Sequence, residues 1–217
     1  MTTSVMTLYG TSIGKKVVMA ATGIMFLGFV VVHMLGNLQI FLGPAKLNSY
    51  AAFLHANPGL VWTMRLILLG AVGLHVLAAT QLTLQSWRAR PRKYVKQRYQ
   101  ESDYAARTMR WSGPFLGLFI LYHLLHFTTG TAHPTFVPGQ VYANVVAGFS
   151  VLPIAAVYIV AMVALGFHMY HGLWSLFQTL GANHPKYNHW RRGLAVAVTL
   201  VVVSGNISMP VAVLAGI

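Results

Sequence analysis

Long apolar runs alternate with short polar punctuation along this chain. Five runs reach the roughly 20 helical residues that a hydrocarbon core about 30 Å thick requires. They cover approximately 17–42, 60–85, 111–132, 151–178 and 191–215. The groups LGPAKLNS, HANPG, HPTFVPG and GANHPKYN punctuate them with turn-forming residues. The pattern predicts an all-α integral membrane bundle of five transmembrane helices, one transmembrane domain over residues 1–217. A further short helix is predicted near VYANVVAG. Pro153 then falls at the start of the fourth span, where a missing N–H costs little.

Composition agrees with this pattern. The chain is 56% hydrophobic and 8% charged, against roughly 25% charged residues in soluble domains. Cysteine is absent, which excludes disulfides, thiolate metal sites and cysteine-held iron–sulfur clusters within the chain. The N-terminal MTTSVMTLYGTSIGKK lacks the layout of a cleaved leader, so none is expected.

The formal charge of +13 is unevenly placed. Lys15 and Lys16 precede the first span. Arg88, Arg90, Arg92, Lys93, Lys96, Arg98, Arg107 and Arg110 lie between the second and third, and Lys186, Arg191 and Arg192 between the fourth and fifth. All of these fall on one side of a five-span layout; only Lys46 and Arg65 fall on the other. Basic loops face the cytoplasm, so the N-terminus is expected inside and the C-terminus outside. The charge is thus a topology and lipid-headgroup signal that also leaves a basic face for a soluble partner, not a nucleic-acid site.

Histidine is the remaining chemistry. His33, His75, His123 and His168 sit on four consecutive spans in apolar surroundings, and His126 and His171 follow the last two by one turn. Ionisable residues inside a membrane mark function, and histidine is an axial ligand of haem iron. Counting along each span places His33 and the span-three histidine toward the outside, and His75 and the span-four histidine toward the cytoplasm. The expected result is two levels several ångströms apart, each offering two imidazoles from different helices. That is the donor set of two stacked bis-histidine haems. Depth alone does not choose between His123 and His126. GLH at 73–75 echoes GFH at 166–168, and VHMLGN is similar to YHLLHF, so the first four spans read as a weak internal repeat. Gly23, Gly28, Gly70, Gly73 and Gly166 are candidates for admitting a flat porphyrin edge.

Together these segments resemble the membrane-anchor cytochrome b subunit of succinate dehydrogenase and fumarate reductase complexes, in its single-chain, five-span, dihaem form. The likeness runs through KKVVMAATGIMFLGFVVVHMLGN, LNSYAAFLHANPG (taken as an external loop), RWSGPFLGLFILYH and FHMYHGLWSLF. The resemblance implies a dihaem bundle made by the first four helices. It assigns His33 and His123 to an outer haem b and His75 and His168 to an inner one. His126 and His171 then stand behind the ligands. It implies a bacterial-type cytoplasmic membrane, a flavoprotein subunit carrying FAD, and an iron–sulfur subunit docking on the cytoplasmic face. It also implies exchange of electrons with a quinone, menaquinone rather than ubiquinone.

The only acids are Glu101 and Asp103, both in the basic loop. Where relatives carry carboxylates, this chain has His55 in the external loop and Gly166 in the fourth span. His55 is therefore the candidate proton carrier at an outer quinone pocket, with His133 a weaker candidate. His184 and His189 are expected in solvent, and Lys16 or Arg110 could meet haem propionates. Two competing functions are weighed against this one. A cytochrome b serving a hydrogenase or formate dehydrogenase draws its ligands from fewer helices. A histidine-relay transporter would need acidic or broken-helix sites at the midplane.

Overall fold

The computed structural model describes residues 8–90, 92 and 102–217. Lys93, Lys96, Arg98 and Glu101 of the basic loop lie outside the described residues. Every regular element among those described is helical. The principal helices are α1 (Ser12–Asn37), α2 (Pro44–Ala56), α3 (Pro58–Arg88), α4 (Tyr104–His123), α5 (Val141–Phe149), α6 (Leu152–Thr179) and α7 (Asn188–Leu214).

Local chemistry sets the boundaries. Thr11 caps α1 by accepting the Gly14 N–H, and Asp103 caps α4 by accepting the Ala106 N–H at 2.7 Å. Prolines open α2, α3 and α6 in the first turn, where the missing donor is harmless. The α1–α2 junction turns at Gly43, whose φ of 88° is open to glycine without strain.

Among the described residues, four segments are long and apolar enough to cross a membrane: Ser12–Leu42, Pro58–Arg88, Leu152–Thr179 and Pro185–Leu214. No more than 28% of any of their apolar windows is buried within the protein. Side chains such as Trp62, Leu69, Leu118 and Leu200 face outward, a surface that lipid rather than water must cover. The expected third span corresponds to α4, which is not among the four. Its first turns carry Arg107 and Arg110, and Ser112, Gly113 and Pro114 follow, so the apolar stretch is short. It continues through a π-helical turn, Leu124–Thr128, closed by Thr129 N–H donating to Leu124 O at 2.9 Å.

The segment read as an external loop contains the helix α2. Pro44, Asn48 and Pro58 fall within the turn-forming groups LGPAKLNS and HANPG. Pro44 and Pro58 each start a helix here, and Asn48 accepts the Tyr142 N–H at the start of α5. α2 and α5 pack together and cap one end of the bundle, where Ile40, Leu47, Phe149, Tyr158, Met209 and Val213 form the main core.

Two helix pairs carry the remaining architecture. α3 packs on α1, and α6 packs on α4. The pairs meet where α1 leans on α6, and α7 packs along α6 and also touches α1. α3 and α4 barely touch, being joined near one end where Arg110 donates to Ser86 Oγ at 2.9 Å and lies over Trp87. This is the basic end. Arg191 and Arg192 flank the Trp174 ring there, at 5.0 and 4.8 Å, in the manner of a membrane-interface belt.

A candidate site of paired histidines

Each half of the bundle contributes one helix to each of two rungs. At the capped end the His33 and His123 rings lie 5.8 Å apart between centroids. Toward the basic end the His75 and His168 rings lie 6.4 Å apart. A metal–imidazole bond is about 2 Å and the ring centre lies roughly 1 Å further back, so two imidazoles on opposite sides of one ion have centroids about 6 Å apart. Both rungs match that spacing.

Hydrogen bonds fix the levels. Thr22 Oγ1 on α1 lies 2.9 Å from His75 Nδ1 on α3, and Ser112 Oγ on α4 lies 3.1 Å from His168 Nδ1 on α6. Thr22 and Ser112 thus mark the basic-end level on helices whose histidines, His33 and His123, occupy the other. Each hydroxyl precedes its helix's histidine by eleven residues, about 16 Å at 1.5 Å per residue. The two levels are therefore further apart than the several ångströms expected, because α1 and α4 begin well before the apolar runs that were used to judge depth.

The same spacing exposes the internal repeat. Thr22-Gly23 leads to His33 as Ser112-Gly113 leads to His123. Each hydroxyl meets the histidine of the partner helix in its own half. Sequence reading singled out neither Thr22 nor Ser112 as a site residue. The signal was available: a Ser/Thr-Gly pair three helical turns before each first-helix histidine, hence on the same face.

Backing groups differ between the rungs. His33 stacks on Phe29, with centroids 5.2 Å apart. His123 Nδ1 lies 3.4 Å from the Tyr158 hydroxyl, which also lies 2.9 Å from His126 Nδ1. His126 is fully buried, and its Nε2 has no hydrogen-bond partner among the described residues. Its ring stacks on His133, 4.8 Å between centroids. A Cβ on Gly148 would come within 2.8 Å of His126 Cε1, so only glycine fits beneath this stack.

His133 lies in the loop between the π-helical turn and α5. It is buried, its Nδ1 accepts the Thr135 N–H and its Nε2–H donates to Asn144 O, so both ring nitrogens are in use. His55 is exposed near the end of α2. Its Nδ1–H donates to Ala51 O at 2.8 Å, which leaves Nε2 available. His171 is partly buried one turn beyond His168, and His184 and His189 are exposed at the basic end. Lys16 is exposed, whereas Arg110 is taken up by Ser86 and Trp87.

Among the described residues no group of three or more His, Cys, Asp or Glu side chains could hold a bare metal ion. Paired histidines fit instead a group that brings most of its own ligands, as a porphyrin does, and takes two axial nitrogens from the protein. Most of the glycines expected to admit a porphyrin edge are open. A Cβ built at Gly23, Gly28, Gly70 or Gly73 meets no protein atom within 4 Å, and at Gly113 only His168 Cε1 at 3.9 Å. Gly166 is the exception among the glycines proposed to admit a porphyrin. Its Cβ would lie 3.0 Å from Val203 Cγ2 on α7, so that glycine serves close helix packing.

These features define a polytopic helical membrane protein with two histidine rungs spanning its two halves. The family model for the succinate dehydrogenase/fumarate reductase transmembrane subunit matches residues 88–207. That is more than half of the chain, and the chain belongs to this family. No curated protein and no solved structure gives a significant match.

Proposed function

We propose that the chain is the dihaem cytochrome b subunit that anchors a succinate:quinone oxidoreductase in a bacterial-type cytoplasmic membrane. α4 with its π turn acts as a fifth span in this reading. The observation that carries the proposal is the cross-bundle pairing of His33 with His123 and of His75 with His168, both at a separation that suits one iron. His33 and His123 would hold the outer haem b, and His75 and His168 the inner one.

Two haems so held would supply one-electron carriers near each membrane face. The chain's own residues supply the rest. Thr22 and Ser112 hold the inner imidazoles, while Tyr158, backed by His126, stands behind His123. Apolar helix surfaces keep the chain in lipid. The basic end, with Arg88, Arg90, Arg107 and Arg110, faces the cytoplasm and offers the docking surface for an iron–sulfur subunit bound to an FAD-carrying flavoprotein.

The quinone, menaquinone in this reading, takes up two electrons and two protons on reduction. With no acid in the described membrane helices, the protons must pass through other groups at the outer side. His55 is the proposed carrier. It is exposed on the capping helix with Nε2 available, and an imidazole can both accept and donate a proton. Replacing His55 by alanine is expected to slow quinone reduction while leaving both haems in place. Unchanged turnover in such a variant would remove His55 from the mechanism.

The reading as a whole is tested by a dithionite-reduced minus oxidised absorption spectrum of the purified chain. Two b-type haems per chain, with flavin and iron–sulfur subunits co-purifying, are expected. A colourless, correctly inserted chain would defeat it.

A further inference from the structure

The rung nearer the basic end is built differently from the outer one. Both of its histidines meet a buried hydroxyl from the neighbouring helix of their own half: Thr22 is 4% exposed and Ser112 is 7% exposed. The outer rung has no such symmetry, since His33 has a phenylalanine behind it and His123 shares a tyrosine with His126. We propose that Thr22 and Ser112 are a matched pair of positioning residues that orient His75 and His168, fix their tautomers and hold down the potential of the inner haem. This inference rests on the dihaem reading above.

The direction of the hydrogen bonds follows from a proton count. A hydroxyl has one proton to give. Thr22 Oγ1 lies 2.8 Å from the Val18 carbonyl and 3.1 Å from that of Met19, the usual back-bonding of threonine inside a helix. With its proton directed there, the oxygen can only accept from His75, so Nδ1 carries the imidazole N–H. The neutral ring then has its free electron pair on Nε2, the nitrogen left for iron. Ser112 repeats the arrangement: its Oγ lies 3.4 Å from Met109 O and 3.1 Å from His168 Nδ1.

A second consequence is electronic. Accepting a hydrogen bond from the far side of a ligating imidazole makes that ligand more basic. A more basic ligand favours ferric over ferrous iron, so the pair lowers the reduction potential of the haem it serves. The repeat adds weight, because one relation recurs in both halves: hydroxyl, glycine, and a histidine three turns on, with the hydroxyl bonded to the other helix. Helix packing alone calls for a small residue at each position. It does not call for an oxygen placed on Nδ1 in both.

Potentiometric titration of the haem bands in the full chain, purified with its partner subunits, tests this. The inner haem is identified as the one missing from His75→Ala. Thr22→Val keeps the branched shape and removes the hydroxyl; Ser112→Ala removes the other. Each is expected to raise the inner midpoint potential while leaving the outer one in place, and the double variant to raise it further. Thr22→Ser is expected to return it to the starting value. Loss of the inner haem alone in Thr22→Val supports the proposal too, provided Thr22→Ser restores occupancy. Unchanged potentials in both single variants, or equal movement of both haems, overturn it. An unmodified chain that binds no porphyrin would instead defeat the dihaem reading, a result that no comparison among these variants can mimic.

Discussion

Replacing His75 by alanine is expected to remove one haem of two and leave the other in place. His75 and His168 come from opposite halves of the bundle, so losing either imidazole leaves one axial nitrogen where two are needed. The outer rung is insulated from this change by about 16 Å of helix, three turns of α1 and of α4. Its histidines depend on different neighbours: Phe29 stacks on His33, and Tyr158 lies behind His123. The reciprocal variant, His33→Ala, is expected to spare the inner haem. Haem per chain, measured as pyridine haemochrome against protein, should fall from two to one in either variant. Electron flow from succinate to quinone should be lost in both, because the carriers act in series. His126→Ala separates this account from the alternative in which His126, not His123, is the outer ligand. It should keep two haems while destabilising the fold, since it empties a fully buried site next to Tyr158, His133 and Gly148. Loss of the outer haem in His126→Ala but not in His123→Ala would reverse the assignment.

The rungs were legible in sequence because histidine is conspicuous in an apolar run, and because helical rise converts position into depth. Depth gave each span a level, but only the family resemblance chose His123 over His126; the separation of the levels did not follow, since α1 and α4 extend beyond their apolar stretches into the basic end. What stayed hidden had weaker signals. Thr22 and Ser112 are unremarkable by composition, as a hydroxyl in a membrane helix is ordinarily satisfied by its own helix carbonyl. Only the partner helix shows that each oxygen also meets a histidine. Tyr158 was missed for the same reason: it lies on α6 well before His168 and gains meaning from His123 and His126 across the interface. The helical form of α2 was hidden because Pro44 and Asn48 belong to a turn-forming group, whereas Pro44 begins the helix and Asn48 ties it to α5. Gly166 was grouped with the open glycines because sequence does not tell which face α7 covers. His133 is a loop residue, as its context suggests, and only the fold shows its ring buried against His126 and Gly148.

Leucine at Gly23 or Gly113 is expected to abolish haem binding at the inner rung while leaving a folded, inserted chain. Glycine inside a helix costs about 0.5–1 kcal/mol relative to alanine, so these residues weaken the helices that carry them. No protein atom accounts for that at Gly23, where a Cβ meets nothing within 4 Å, and at Gly113 the one neighbour is His168 Cε1 at a comfortable 3.9 Å. Contrast Gly36, where a Cβ would fall 2.7 Å from Tyr50 Cε1, and Gly205, where it would fall 2.5 Å from Met34 Sδ. At Gly36 the polypeptide itself requires the glycine, and at Gly205 the end of the Met34 side chain would have to move. Gly23 and Gly113 each follow the hydroxyl that meets an inner histidine, and the repeat places them in equivalent positions. If a porphyrin lies against them, a side chain there has opposite effects on the two forms of the chain. The haem-free helix gains from the better helix former, and the haem-bound form loses the space that its macrocycle fills. Gly23→Ala should therefore leave the thermal stability of the apo chain equal or raised while lowering inner-haem occupancy, and Gly23→Leu should take occupancy to zero. Gly36→Leu should behave in the opposite way, disrupting the fold through Tyr50 before any effect specific to one haem appears. Full occupancy of both haems in Gly23→Leu would mean that this face looks onto lipid, and that the porphyrin plane lies elsewhere around the His75–His168 axis.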